Sequence, residues 1–478
     1  MATEPTWATD VSAFARRTMA DHQIPGLAVA VAQQGTSVYT EGFGHRDVEK
    51  DVPITPGTVF GIASTTKSFT CLAIMLLVEA GKLSVEDPVI RYLPEFRTPD
   101  PEATQRIMIH HFMTHSSGLP PLPSRFFVFK RSAEGDPAAE KRPSWVADHD
   151  PIETHEELMA YIAGRDFTLL GPPGAQFSYS NEGFALLGAI VERVSGQSFD
   201  QFVQEHILDP AGMTHSTFDL ARLRQFPDVT TLYARSQNDG DEKVYAANTW
   251  LDAPMWSAAG RLNTNVHDML RYLEIYRTGG MVGSERIASA ETVQRMMTPH
   301  VRTAEPNRWY GYGFSVTPDY HGVSVVGHGG GRKGISAHVS IARDVGFTSV
   351  VLANLQGVPV APILLAALNT TLGLPVDAPA TAYGDYARPP KHLARYTGDY
   401  RSGEGGPIRV TIRDGALVFG MAEKEFTARP VGEHAFVMKQ KNGEAYSRFL
   451  MRPTGEAYAV TSGSRIIQRV PIAQEIAG

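Results

Sequence analysis

Ser64 and Lys67 stand three residues apart in the run Ser64-Thr65-Thr66-Lys67. At the first turn of a helix, that spacing puts a hydroxyl and an ammonium on one face. The positive end of the helix dipole favours an alkoxide there. A lysine desolvated by apolar neighbours loses proton affinity and can take up the serine proton. Residues 68–80 are apolar on almost every side, so a charge at Lys67 is costly unless it has a partner. A Ser-x-x-Lys match arises about once by chance in a chain this long, and it needs support from elsewhere.

Two further runs supply it. Tyr179-Ser180-Asn181 follows the turn Gly171-Pro172-Pro173-Gly174 and precedes a helical period. A phenol can shuttle a proton and an asparagine amide can donate to a carbonyl, while Ser180 or Asn181 also suits a helix N-cap. His328-Gly329-Gly330-Gly331 lies between two strand-like segments. Glycines admit a substrate close to the backbone, whose N–H groups can hold an oxyanion. Gly329, Gly331 and Gly334 fit G-x-G-x-x-G, but the residues after them alternate as a strand and open no helix, which argues against a dinucleotide site.

Other candidates are weaker. His110, His111 and His115 contain an i,i+4 pair and invite a metal reading, but a structural role is expected. His155-Glu156-Glu157 lacks the second histidine of a zinc-protease helix. Cys71 reads as core. No G-x-S-x-G is present. Phe126, Phe127 and Phe129, with Arg125, Lys130 and Arg131, read equally as a lid or as an insertion.

The elements that must position these groups follow from periodicity. Residues 27–32 form a small apolar run, Gln34-Gly35 turns, and residues 37–39 return, which predicts a hairpin in a covered sheet. Residues 64–80 predict a buried helix stopped by Gly81. Residues 120–151 show no period. Thr154 to Glu157 and Ser198 to Gln201 read as capping boxes, and between them a helix runs from Asn181 to Gly196. Strands are expected at 323–326, 337–341 and 348–353, and a helix at 361–368. Residues 376–390 read as a linker between a domain over 1–375 and a second over 391–478. The second has alternating short strands with Asp414-Gly415 and Asn442-Gly443 turns, which predicts a small antiparallel barrel.

In this order, S-x-x-K, Y-x-N and H-x-G resemble the serine β-lactamase and penicillin-recognising superfamily, in its class C-like branch of peptidases and esterases. Phe60-Gly61-Ile62-Ala63-Ser64, residues 113–119, Tyr179-Ser180-Asn181-Glu182-Gly183 and Tyr310-Gly311-Tyr312-Gly313 add to the likeness, which spans roughly residues 10–370. The resemblance implies an α/β (α+β) fold, with an antiparallel sheet flanked by helices and an all-helical subdomain. It implies Ser64 as nucleophile, Lys67 as its proton partner and Tyr179 as general base and acid. It places Asn181, His328, Gly329, Gly330 and Gly331 at the substrate, with the backbone N–H groups of Ser64 and Gly331 as the oxyanion hole. Many relatives carry lysine where His328 stands, and a neutral histidine there argues against efficient penicillin hydrolysis. Arg332 and Lys333 either restore charge or form an exposed hairpin tip. Tyr396-Thr397-Gly398-Asp399-Tyr400 is similar to the lipocalin-like barrel of some of these hydrolases, and the barrel is expected to stabilise or assemble the protein without touching substrate.

The implied activity is cleavage of an amide bond in small peptides, D-residue-containing ones included. The alternatives are an esterase or acyltransferase, a weak β-lactamase, and a non-catalytic penicillin-binding-like protein. No metal and no cofactor is implied. Composition sets limits from the other side. A 478-residue chain with 42% hydrophobic residues excludes disorder or a coiled coil as the main architecture. Its 44 basic and 51 acidic residues give a net charge of −7, and no basic block predicts nucleic-acid or membrane partners. The single cysteine excludes an intramolecular disulfide. No basic-then-apolar leader opens the chain and no apolar run reaches 18 residues, so a cytoplasmic protein is expected. The expected partner is a small-molecule or short-peptide substrate, with homo-oligomer formation left open.

Overall fold

A computed structural model describes residues 5–136, 146, 148–236, 243–386, 392–422, 424–441 and 443–470. Nine antiparallel strands form the main sheet: β1 (Gly26–Gln33), β2 (Thr36–Asp47), β3 (Val52–Pro53), β4 (Val301–Arg302), β5 (Trp309–Tyr310), β6 (Ser315–Tyr320), β7 (Val323–Arg332), β8 (Ile335–Ala342) and β9 (Phe347–Ala353). Their order is β4-β5-β6-β7-β8-β9-β1-β2-β3. Gln34 and Gly35 both have positive φ, 51° and 79°, which is the turn geometry that joins β1 and β2 tightly.

β1 reads as unbroken apolar sequence because both of its faces are covered. Leu27, Val29 and Val31 point into a core shared with helices α1 (Ala8–His22) and α5 (Ala361–Thr371). Ala28 and Ala30 point into the larger core built on α2 (Thr66–Glu79), α3 (Asn181–Ser195) and α4 (Val266–Thr278). Small residues on that second face let helices approach the sheet closely.

Helix boundaries follow the expected chemistry with two differences. Thr154 and Glu157 form the expected capping box on the helix His155–Ala163. Ser198 caps Phe199–Val203, but the Gln201 side chain donates to Glu205 at 2.8 Å and does not reach back to the cap. The aperiodic stretch after Pro120 contains a short helix, Ser124–Val128. The end of that stretch, residues 137–145 and 147, lies outside the described residues.

The C-terminal part is a closed eight-stranded antiparallel barrel: β10 (Gly398–Arg401), β11 (Ile408–Arg413), β12 (Ala416–Met421), β13 (Lys424–Gly432), β14 (Ala435–Gln440), β15 (Gly443–Met451), β16 (Ala457–Ser462) and β17 (Arg465–Arg469). Tyr396, Tyr400, Phe419, Phe436 and Phe449 fill it. Asp414-Gly415 makes the expected turn, while Asn442 lies outside the described residues. The barrel docks on the main body: Ala459 and Ile466 pack on Leu170, and the Gly403 amide donates to the Pro121 carbonyl at 3.0 Å. Among the described residues no helix is long and apolar enough to cross a membrane.

Candidate active site

Ser64 sits at a bend. The short strand Phe60–Gly61 pairs with Asn263–Thr264, and the chain then turns through Ala63–Thr65 into α2. Ala63 holds φ at 44°, a left-handed value that alanine rarely adopts. Behind the bend, Gly330 of β7 presses on Ile62, and a side chain at Gly330 would meet the Ile62 carbonyl oxygen at 2.0 Å. Glycine is needed there for packing. Gly331 has open space before it and lines the cleft with Ser64, so the two neighbouring glycines serve different purposes. Gly329 faces His338. The glycine run therefore continues strand β7 and does not form a loop after it.

Lys67 is fully buried. Its Nζ lies 3.3 Å from Ser64 Oγ and donates to Asn181 Oδ1 at 2.9 Å and to the Ala259 carbonyl at 2.5 Å. Burial drives its proton affinity well below that of an ordinary lysine, and the Arg465 charge adds to the effect. The carboxylates of Glu404 and Glu182 work the other way. The result is an amine held by the Ser64, Asn181 and Ala259 oxygens, with a reduced hold on its proton.

The helix-cap reading of Tyr179-Ser180-Asn181 holds for Ser180. Ser180 takes the cap of α3, accepting from the Gly183 amide, which leaves Asn181 free to face the cleft. Tyr179 stacks on His115 with ring centroids 4.0 Å apart, and Lys67 Nζ lies 4.9 Å from its ring centroid. Its hydroxyl is buried without a hydrogen-bond partner among the described residues. Burial pushes this phenol far up, and the Arg465 cation works against that rise.

His328 lies within β7, nearly buried. Its Nδ1 faces the Gly329 carbonyl at 2.6 Å, which assigns the proton to that nitrogen, so Nε2 accepts from the Tyr310 hydroxyl at 2.9 Å. Burial, with the nearby Lys67 charge, pushes the imidazole down to about 3. The ring is neutral across the physiological range and presents no cation to the cleft.

Lys333 is no exposed hairpin tip. It is 8% exposed, ion-paired with Asp136, and donates to the Thr249 carbonyl at 2.9 Å. Arg332 lines the cleft, and among the described residues its side chain makes one hydrogen bond, a long 3.5 Å contact to the Leu251 carbonyl. Phe126, Phe129 and Trp256 supply an aromatic wall, while Phe127 belongs to the core. The three histidines are held by protein groups. His110 Nδ1 meets the Tyr312 hydroxyl, His111 Nδ1 accepts from the Met108 amide, and His115 Nδ1 accepts from the Ser180 amide. Cys71 is buried in the core.

The barrel reaches Tyr179 from behind, while none of the described residues lining the cleft comes from it. Arg465 places its guanidinium carbon 4.6 Å from the Tyr179 ring centroid and donates to Glu404 at 2.5 Å. Glu404 in turn accepts from Asn181 Nδ2 at 3.4 Å. No local spacing marks either residue, because their role arises from docking between distant parts of the chain.

A family model described as Beta-lactamase matches residues 11–374. The chain belongs to the Beta-lactamase family. Within that family it is similar to "Penicillin-binding protein 4*" of Bacillus subtilis, 26% identical over 414 residues and 84% of each chain. Among solved structures it resembles an octameric penicillin-binding protein homologue from Pyrococcus abyssi at 26% identity and a TM-score of 0.69, over 96% of this chain and 99% of that one. A D-stereospecific amidohydrolase from Streptomyces shares the fold, at 22% identity and a TM-score of 0.60 over 75% of this chain and 98% of that one. The Beta-lactamase match ends at 374, ahead of the barrel, whereas the likeness to the Pyrococcus abyssi protein extends across it.

Proposed function

We propose that the protein is a serine hydrolase that forms an acyl-enzyme on Ser64 and cleaves an amide bond in small peptides, with D-residue peptides first among the candidates. One observation carries the reading: Lys67 Nζ, fully buried and with a reduced hold on its proton, reaches both Ser64 Oγ and Asn181 Oδ1, and both of those residues line an open cleft.

The chemistry follows from the placement. Ser64 Oγ attacks the carbonyl carbon, and its proton passes to the Lys67–Tyr179 pair. The carbonyl oxygen becomes an oxyanion between the N–H groups of Ser64 and Gly331. The unpartnered Tyr179 hydroxyl delivers a proton to the departing nitrogen, the C–N bond breaks, and an ester to Ser64 remains. Water then adds to that ester and releases the acid, with the same pair handling the proton. Asn181 orients the acyl-side amide, and the aromatic wall of Phe126, Phe129 and Trp256 suits an apolar substituent there. Arg332, in the cleft without an ion-pair partner among the described residues, suits a carboxylate on the far side of the scissile bond.

A second reading, ester hydrolysis by the same nucleophile, is favoured by the neutral, hydrogen-bonded His328, which supplies no cation at the position where many relatives have one. A fluorophosphonate probe should label the wild type and not Ser64→Ala, and no labelling of the wild type would overturn both readings. D- and L-peptide p-nitroanilides assayed beside p-nitrophenyl esters then separate amide from ester cleavage.

A further inference from the structure

The hairpin between β16 and β17 grips the strand of chain that carries Tyr179. The Tyr179 amide donates to the Ser464 carbonyl at 2.9 Å, and the Ile466 amide donates to Ser178 Oγ at 3.3 Å. These bonds bring Arg465 onto the phenol, 4.6 Å from the ring centroid. The guanidinium is itself tethered, with Nε on Glu404 Oε2 at 2.5 Å and Nη1 on Ser464 Oγ at 2.9 Å. Glu404 is 8% exposed and is fixed from the main body as well, since the Arg125 guanidinium donates to its carbonyl at 2.9 Å. The contact is therefore a built one, closed from both sides of the domain junction.

The charges around Tyr179 are few. Among the described residues, Lys67 and Arg465 are the cations at the Lys67–Tyr179 pair and Glu404 and Glu182 are its carboxyl groups, while Tyr310 stays a neutral phenol. His115, stacked on the ring, and His328, 6.2 Å away, are kept neutral by burial. A cation over an aromatic face is attracted to the ring, and far more to a phenolate. The same charge repels a proton on Lys67. Both effects favour a Lys67–Tyr179 pair that has released one proton to solvent and can accept another from Ser64; such a pair titrates as a unit.

We infer that Arg465, carried by the barrel, is a positioning residue that holds the Tyr179 ring and, as a fixed positive charge, favours the deprotonated Lys67–Tyr179 pair that accepts the Ser64 proton. The inference rests on the reading of Ser64 as nucleophile. It makes the barrel a part of the catalytic apparatus and gives Glu404 the opposite influence, because its charge favours the proton that Arg465 disfavours.

The test is the rate of Ser64 acylation by a fluorophosphonate probe between pH 5 and 10, in wild type, Arg465→Met and Glu404→Gln. The rate should rise with pH to a plateau. Arg465→Met should move the midpoint up by about one pH unit, so that acylation at neutral pH, taken relative to the variant's own alkaline plateau, is roughly ten-fold slower. Glu404→Gln, close in shape to the native residue, should move the midpoint down. Midpoints that stay within a few tenths of a unit overturn the inference, whatever happens to the plateau. If Arg465→Met does not fold, Glu404→Gln alone decides by its direction. Wild-type protein that is never acylated at Ser64 overturns the functional reading, whereas acylated protein with unmoved midpoints overturns this inference alone.

Discussion

Gly330 and Ile62 meet backbone to backbone: a Cβ on the glycine would stand 2.0 Å from the Ile62 carbonyl oxygen and 3.1 Å from Thr65 Oγ1. The bend that presents Ser64 is thus seated directly on strand β7. Gly330→Ala should displace the bend and cut acylation by about 10²-fold, the scale expected when a reacting group shifts by about 1 Å. Gly331→Ala, whose new methyl meets nothing within 4 Å, should keep the wild-type Tm. Thermal melts and probe-labelling rates of the two variants check the contrast.

Removal of the Lys67 ammonium should separate stability from activity. Lys67→Met fills similar space but leaves Asn181 Oδ1 and the Ala259 carbonyl without the donor they share. Unsatisfied buried acceptors cost about 1–3 kcal/mol each. The variant should fold with a lowered Tm and lose acylation by roughly 10³-fold or more. Labelling near the wild-type rate would remove Lys67 from the proton path.

Buried neutral histidines should make the protein acid-sensitive. Burial pushes His328 down to about 3 and His338 down to about 4. In the unfolded chain both take a proton as pH falls through about 6.5, and in the folded protein they do not. Their contribution is therefore complete above 6.5 and is withdrawn as pH falls toward the folded values. At pH 5 each costs about 2 kcal/mol relative to pH 8. Urea midpoints across pH 8 to 5 should fall, and His338→Gln should flatten part of that slope.

Glu182 should act in the opposite sense. It is 1% exposed, lies in the field of Glu404, and accepts from Ser124 and Ser180. Burial, followed by the Glu404 charge, raises its carboxyl to about 7. The folded state then holds a proton that the unfolded chain has shed above about 4.5, so the stabilisation present below that value is lost as pH rises through 7. Glu182→Gln should melt above wild type at pH 8 and level with it near pH 4.5. Equal melting curves at pH 8 would refute the raised value.

What could be read from the chain was local. Ser64 and Lys67 share one turn, and the period from Phe184 to Val194 marks α3 with its serine cap. Alternation and Asp414-Gly415 mark the barrel hairpins. What escaped depends on docking across long separations. Arg332-Lys333 has the composition of a solvent-exposed tip, and Asp136, 197 positions earlier, with the Thr249 carbonyl, turns Lys333 inward. Glu404 meets Asn181 across 223 positions, and nothing in the sequence around it, in the connection between β10 and β11, marks it as the buried carboxylate it is. The barrel itself was legible, whereas the face it presents to Tyr179 was not.

The hydrogen bond from the Tyr179 amide to the Ser464 carbonyl also orders events in time. During synthesis Ser64 leaves the ribosome about 400 residues ahead of Arg465. At about 5–20 residues per second that is a delay of roughly 20–80 s. Throughout it Ser64 and Tyr179 are present without the barrel against which Tyr179 is seated. The contact between the barrel and Tyr179 is therefore among the last to form, and a chain truncated before its final hairpin never makes it.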